Sequence, residues 1–196
     1  MKIVFKINSN ITISHLKSVA STDTLRPVMC GACVDVVNQK LVLTDSHILI
    51  AYPIEIISND TDIDHLIVPL NLFNRTRYMG EFSSSVLKVL DVEYILTSDY
   101  AEAVFQNELL YRTKYIEGKY PKWENVMPKE EDKLPVDQIG VNPKILIRLF
   151  KAFPNKNPLQ FKMSLFAANK AILFEEINPE SKSIITAIAM PINLNK

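Results

Sequence analysis

Four glycines in 196 residues are too few for loops that cradle phosphates. No Gly-rich nucleotide motif, nucleophile elbow or metal-ligand spacing appears along the chain. Cysteine is scarcer still, at two residues, and a chain of this length buries roughly 70% of its unfolded surface without any staple. Neither charge sign is in excess: 22 Lys and Arg balance 22 Asp and Glu. That balance excludes bulk polycationic binding of nucleic acid and leaves only local sorting of charge. No apolar run nears the ~18 residues of a membrane span. The opening Met1-Lys2-Ile3-Val4-Phe5-Lys6-Ile7-Asn8 interleaves charge with apolar residues, so the expected location is cytoplasmic and no membrane partner is expected. What is present is ordinary for a globular protein: 47% apolar, 22% charged and 11 prolines. Disorder and fibre are excluded, and a β-rich protein with polar hairpins fits best.

The pattern along the chain repeats. Residues 2–7 alternate as a half-buried strand does. Ile13, Leu16, Val19 and Ala20 then recur with helical spacing behind Asn10 or Thr12 as N-cap. Residues 28–37 and 39–43 flank Asn38-Gln39 as a predicted hairpin, and residues 48–57 form a third apolar β-type run. The same order, strand, helix and three strands, returns twice. It is expected at residues 66–69, 70–78, 86–90, 94–97 and 104–115, and again at 138–141, 143–153, 159–165, 171–177 and 183–194. The first and third units end alike, Ile50-Ala51-Tyr52-Pro53-Ile54 against Ile188-Ala189-Met190-Pro191-Ile192. Residues 117–136 hold Pro121, Pro128, Pro135 and the run Lys129-Glu130-Glu131-Asp132-Lys133, and read as a connector.

Three motifs now point to one family. Glu117-Gly118-Lys119-Tyr120-Pro121-Lys122-Trp123-Glu124-Asn125-Val126-Met127-Pro128 resembles the interdomain connector of the bacterial replicative sliding clamp, the beta subunit of DNA polymerase III. Leu43-Thr44-Asp45-Ser46-His47-Ile48-Leu49 resembles that family's Ala-Thr-Asp-Gly-His-Arg-Leu, and Met190-Pro191-Ile192-Asn193-Leu194 its C-terminal Met-Pro-Met-Arg-Leu. The resemblance covers the family's middle domain and the second half of its last domain, as a shortened relative. It implies an α+β, DNA-clamp-like fold of three strand-helix-strand units, with sheets in one layer and helices in the other. Residues 1–120 form a complete domain of two units, 121–135 a connector, and 136–196 a half-domain.

The resemblance also implies a site. An apolar pocket that captures clamp-binding peptides of polymerase, loader or repair proteins is walled by Met29, Thr44, Ser46, His47, Leu49, Pro128, Ile188, Ala189, Met190, Pro191, Ile192 and Leu194. Small, β-branched and Met side chains around a few polar groups make an adaptable site for apolar anchors. On residue types alone, Met190 and Ile192 alternating with Pro191 and Asn193 equally suit a terminal strand packed on a core. Ser46 stands for a family Gly, and Ile48 and Asn193 for Arg.

Catalysis and metal binding find no support. Cys30-Gly31-Ala32-Cys33 lies in a β-type run rather than at a helix start, where a redox thiolate is stabilised. His47 has no second His or Cys at ligand spacing and reads as a hydrogen-bonded turn residue. No enzyme, cofactor or metal is expected. On the third helix Lys144, Arg148 and Lys151 share one face, and Ile145, Leu146, Leu149, Phe150 and Phe153 the other. With Lys17, Arg75 and Arg77 on the other helices, these side chains are the candidates for DNA backbone contacts without base reading. The resulting expectation is a replication or repair processivity scaffold that encircles or contacts DNA. The alternative is a ringless adaptor or competitor that binds clamp-binding peptides alone. Three units leave one without a sister, so self-association is expected, and four copies would supply the twelve units of a ring.

Overall fold

The computed structural model describes residues 2–74, 91–154, 160–176 and 184–193. Strand β1 (Lys2–Ile7) buries Ile3 and Phe5 fully. Helix α1 (Ile13–Val19) follows Thr12, whose extended backbone ends the loop and whose N–H donates to His15 Nδ1 at 2.9 Å. Leu16 and Val19 turn inward. Residues 28–30, expected as strand, form part of a 3-10 turn (Pro27–Cys30), because Pro27 at its first position presets the turn and donates nothing to a ladder. Then come β2 (Gly31–Asp35), β3 (Lys40–Thr44) and β4 (Ile48–Asn59). Gly31 is required at its place: a Cβ there would stand 2.6 Å from Ile116 Cδ1 and 2.8 Å from the Val68 carbonyl oxygen.

The second unit begins with β5 (His65–Pro69) and a 3-10 turn (Leu70–Phe73). The rest of its expected helix, with Arg75 and Arg77, and the expected strand at residues 86–90 lie outside the described residues. It continues with β6 (Glu93–Thr97), β7 (Ala101–Phe105) and β8 (Glu108–Thr113). The single strand expected over residues 104–115 is thus a hairpin arm and its return. Gln106 and Asn107 carry the turn with φ of 49° and 66°, the conformation that matches strand twist in a two-residue hairpin. The third unit holds α2 (Pro143–Lys151), capped by Asn142 through Lys144 N–H at 3.0 Å, then β9 (Phe161–Ser164), β10 (Ile172–Glu176) and β11 (Thr186–Ala189).

Among the described residues all strand pairs are antiparallel and belong to one curled sheet. Units one and two exchange their first strands: β1 pairs β6 and β5 pairs β2. Strand β4 is long enough to serve three neighbours, with residues 49–53 on β3, 54–59 on β1 and 48–51 on β11. Helices α1 and α2 pack against each other and over β3 and β4. Beneath them lies the main core, where Phe5 stacks on Tyr94 at 5.3 Å and the Tyr52 hydroxyl donates to the Ala152 carbonyl at 2.7 Å. A second, smaller cluster of Cys33, Val42, Leu49, Ala51, Ile67, Tyr120, Ala171 and Ile188 lies under the connector. There Gly118 takes φ of 131°, the Tyr120 hydroxyl donates to the Val42 carbonyl at 3.2 Å, and Trp123 Nε1–H donates to Asp35 Oδ2 at 2.8 Å. Two 3-10 turns, Trp123–Val126 and Glu130–Asp132, interrupt the connector before Lys170 takes up Asp132 at 2.7 Å.

Candidate peptide pocket and helix face

A pocket of about 220 Å³ opens where the β3–β4 turn, the connector and the end of β11 meet. Met29, Leu49 and Ile188 are buried in its floor, and Met190 and Val126 stand half-exposed at its mouth. Thr44, Ser46 and His47 supply its polar edge. Its size lies below the roughly 300–1,000 Å³ of drug-sized ligand sites and is enough for one or two apolar side chains.

The turn is built by its own polar side chains. Asp45 Oδ1 accepts the His47 and Ile48 N–H groups at 2.8 and 3.0 Å, and the Thr44 hydroxyl donates to the Ile48 carbonyl at 2.7 Å. Ser46 takes φ of 79°, a conformation that glycine adopts freely and serine does not. Strand β11 is held alongside through Met190 N–H, which donates to the His47 carbonyl at 2.8 Å.

Seven of the twelve expected wall residues meet here: Met29, Thr44, Ser46, His47, Leu49, Ile188 and Met190. Ala189 points the other way along β11 and is buried in the main core. Pro191 and Ile192 line a separate depression with Pro135, Val136 and Asp137, and Pro128 is half-buried outside the pocket lining. Leu194 lies outside the described residues. Sequence reasoning missed Ile48 and the connector's contribution, Pro121, Lys122, Trp123 and Val126. The signal was available, since the chain's one tryptophan sits in a Pro-bounded stretch and a partly buried indole seeks an acceptor.

Behind the turn lies a charged cleft lined by Lys17, Asp23, Arg26, Asp45 and Arg148. Arg148 is committed within it: Nη1 pairs with the buried Asp45 at 2.7 Å, and Nε donates to the Ser18 carbonyl at 3.1 Å. Arg26 bonds Asp23 at 2.8 Å, holding that carboxyl below its usual range, and donates to Ser46 Oγ at 2.9 Å. Lys17, Lys144 and Lys151 are exposed on the two helices.

The cysteine pair divides between two settings. Cys30 ends the 3-10 turn and donates to the Asp23 carbonyl at 3.3 Å. Cys33 is buried in β2, where burial first, then the charges of Asp35 and Glu124, push its thiol up to about 12, the reverse of what a nucleophile needs. Among the described residues no group of three His, Cys, Asp or Glu side chains is arranged to hold a metal ion. No helix among them is long and apolar enough to cross a membrane.

No protein-family model matches the chain, and no curated protein sequence matches it. Solved structures do. The Helicobacter pylori beta clamp in complex with diflunisal superimposes with a TM-score of 0.64 at 16% identity, covering 98% of this chain and 66% of the clamp. The DNA polymerase beta subunit of Streptococcus pyogenes gives 0.66 at 13%, covering 94% and 63%. A Pseudomonas aeruginosa sliding clamp bound to griselimycin gives 0.65 at 16%, covering 99% and 66%. The chain therefore has the fold of the bacterial sliding clamp, the DNA polymerase III beta subunit, and spans about two-thirds of those clamps' length.

Proposed function

We propose that this chain is a sliding-clamp-like scaffold of DNA replication or repair, without catalysis of its own, that docks clamp-binding peptides and meets the DNA backbone without reading bases. The observation that carries the reading is the apolar pocket between the Thr44–Leu49 turn and β11, where seven of the expected residues, from three segments distant in sequence, converge. Exposed Lys17, Lys144 and Lys151 on adjacent helices support the DNA contact, and phosphate contacts of this kind position without specifying. The division into residues 1–120, 121–135 and 136–196, the cytoplasmic location and self-association belong to the same proposal.

One observation favours the alternative of a ringless adaptor or competitor: Arg148 is already paired with Asp45, which removes one cation from the face that would meet phosphate. Fluorescence anisotropy with a labelled clamp-binding-type peptide tests the pocket. Micromolar affinity is expected, about −8 kcal/mol, for a short segment that orders on binding. Deleting residues 190–196 abolishes it; a deleted chain that folds and still binds the peptide removes the pocket assignment. Salt-dependent DNA affinity separates the two readings. Reversing Lys17, Lys144 and Lys151 lowers it for the scaffold and leaves nothing to lower for the adaptor.

A further inference from the structure

Residues 121–123 of the connector form a wall with two sides. One side closes the apolar pocket, and the other closes a cleft of about 520 Å³ between the connector, the end of the β2–β3 hairpin and the start of β5. Cys33 and Asp35 are buried in the floor of this cleft, and Asp64, Lys119, Lys122 and Glu124 are exposed around its mouth. Cys33 belongs to the cluster under the connector, whereas its neighbours Ala32 and Val34 belong to the main core. The cleft therefore opens on the side of the sheet away from the helix layer.

The cleft is short of positive charge. Asp35 is 6% exposed, yet its three hydrogen bonds come from neutral donors: the Asn38 N–H and Nδ2 at 2.8 and 2.9 Å, and Trp123 Nε1 at 2.8 Å. A carboxylate so buried ordinarily has a cation beside it, as Asp45 has Arg148. Glu124 accepts from Asn38 Nδ2 at 3.2 Å. Among the described residues none of Asp35, Asp64 and Glu124 forms an ion pair. Three carboxylates thus line the cleft against the two ammonium groups and the His65 imidazole. Their field reaches the floor: after burial itself, the charges of Asp35 and Glu124 are what raise the Cys33 thiol. Among the described residues no three such groups converge on a point that a metal ion could fill, so a long cationic side chain is the complement.

We propose that the cleft is a second seat for the docked peptide: a segment whose apolar side chains fill the pocket passes over residues 121–123 and lays a lysine or arginine against Asp35, Asp64 and Glu124. The inference rests on the pocket's being a peptide site and adds the charge that the site selects. The two seats are continuous, since Pro121, Lys122 and Trp123 line both. Lysine and arginine suit the step, because their apolar stems can cross the wall while the charged head reaches the carboxylates. An acidic segment or a phosphate would set like charges together there. Lys119 and Lys122 are exposed and keep their own heads in water, which leaves the buried carboxylate to the incoming one.

Peptides that share one apolar-anchor sequence and carry paired lysines, serines or glutamates, on either the N-terminal or the C-terminal flank, test it. Trp123 is the chain's one tryptophan and stands in the wall of both seats, so its emission reads binding directly. On one flank the lysine peptide is expected to bind about fivefold tighter than the serine peptide and the glutamate peptide about fivefold weaker, a preference that shrinks as salt screens it. The double variant Asp64→Lys, Glu124→Lys, at exposed positions, should keep its circular dichroism and prefer the glutamate peptide. Lysine and glutamate peptides that bind the wild type equally on both flanks overturn the inference, and binding of the serine peptide then leaves the pocket standing. A lysine preference that the double variant retains, or that salt leaves unchanged, also overturns it. Should none of the peptides bind, the pocket and the cleft fall together.

Discussion

The first and third units share one order of elements and differ in what surrounds them. In the first, β1 and β2 each find a ladder partner from another unit, and Phe5 is wholly buried between Tyr94 and the helix layer. In the third, Phe161 does equivalent work on β9, stacking on Phe150 and meeting Phe153 edge-on at 4.6 Å, yet stays half-exposed on a strand that pairs β10 alone among the described residues. Both strands are competent to pair, so burial here is decided by whether a sister strand arrives. The third unit leans on the first. Strand β11 extends β4, Tyr52 holds Ala152 and Asp45 holds Arg148.

The largest effect that can test this contrast is truncation of the two phenylalanines. Phe5→Ala should cost about 3–5 kcal/mol in urea unfolding, and Phe161→Ala about half of that. The second cost should grow with protein concentration if a partner copy buries the ring, because association adds to apparent stability by mass action. Equal costs independent of concentration would mean that the third unit is as closed as the first.

Next in size is the tie between the units. Among the described residues, Arg148→Ala leaves the buried Asp45 carboxylate with the N–H groups of His47 and Ile48, at about 1–2 kcal/mol, since Arg148 itself is partly open to water. Peptide affinity should fall with it, because Asp45 shapes the turn that edges the pocket. Arg148→Lys should recover part of the stability through charge but not the bond to the Ser18 carbonyl. A pocket affinity unmoved by Arg148→Ala would show the turn to be self-sufficient.

Alkaline pH probes the first unit through Cys33, while the raised hydroxyls of Tyr115 and Tyr120 respond outside it. The Cys33 thiol is raised from 9.0 to about 12 by burial, so the unfolded chain releases its proton before the folded one. Its share of stability is whole below about pH 9 and is lost as pH rises toward 12. The buried Tyr52 and Tyr120 hydroxyls are raised by burial too and act with the same sign. Cys33→Ala should flatten the fall in melting temperature over roughly pH 9–12, and iodoacetamide should label Cys30 well before Cys33 in the native chain.

How far these features were legible in the sequence depends on range. Residues 2–7, 13–19 and 143–151 showed their elements through period alone, since alternation and helical spacing are local. The family motifs located the turn at Thr44–Leu49 and the strand at Ile188. Two misreadings were local as well: Pro27 marked a turn inside an apolar run, and Asn107 marked a hairpin inside a longer one. Trp123 on Asp35 and Arg148 on Asp45 were not legible, because each joins residues about a hundred positions apart and neither pattern nor charge count predicts which distant carboxylate a donor will meet. Alternation placed Ala189 beside Ile188 and Met190 in sequence, yet the pleat sends it to the opposite face.

The smallest expected effect compares the turns that lead into the last strand of units one and two. Both use residues other than glycine at positive φ: Ser46 at 79°, and Gln106 and Asn107 at 49° and 66°. Asparagine tolerates this region because its short amide bonds locally, whereas serine carries a Cβ with no such compensation. Ser46 also accepts from Arg26 at 2.9 Å, so replacing it by glycine alone mixes relief of strain with loss of a hydrogen bond. The clean comparison is Ser46→Gly against Ser46→Ala, since both delete the hydroxyl and only glycine relieves the backbone. Glycine should be the more stable by about 1 kcal/mol, read as a shift in urea midpoint at constant slope. The same pair of substitutions at Asn107 should give a similar glycine advantage, while Asn107→Gly measured against the wild type should give less than Ser46→Gly does once the Arg26 bond is removed by Arg26→Ala. If Ser46→Gly and Ser46→Ala prove equal, the turn at the pocket's edge does not hold position 46 left-handed, and Ser46 stands where the family's glycine does without strain.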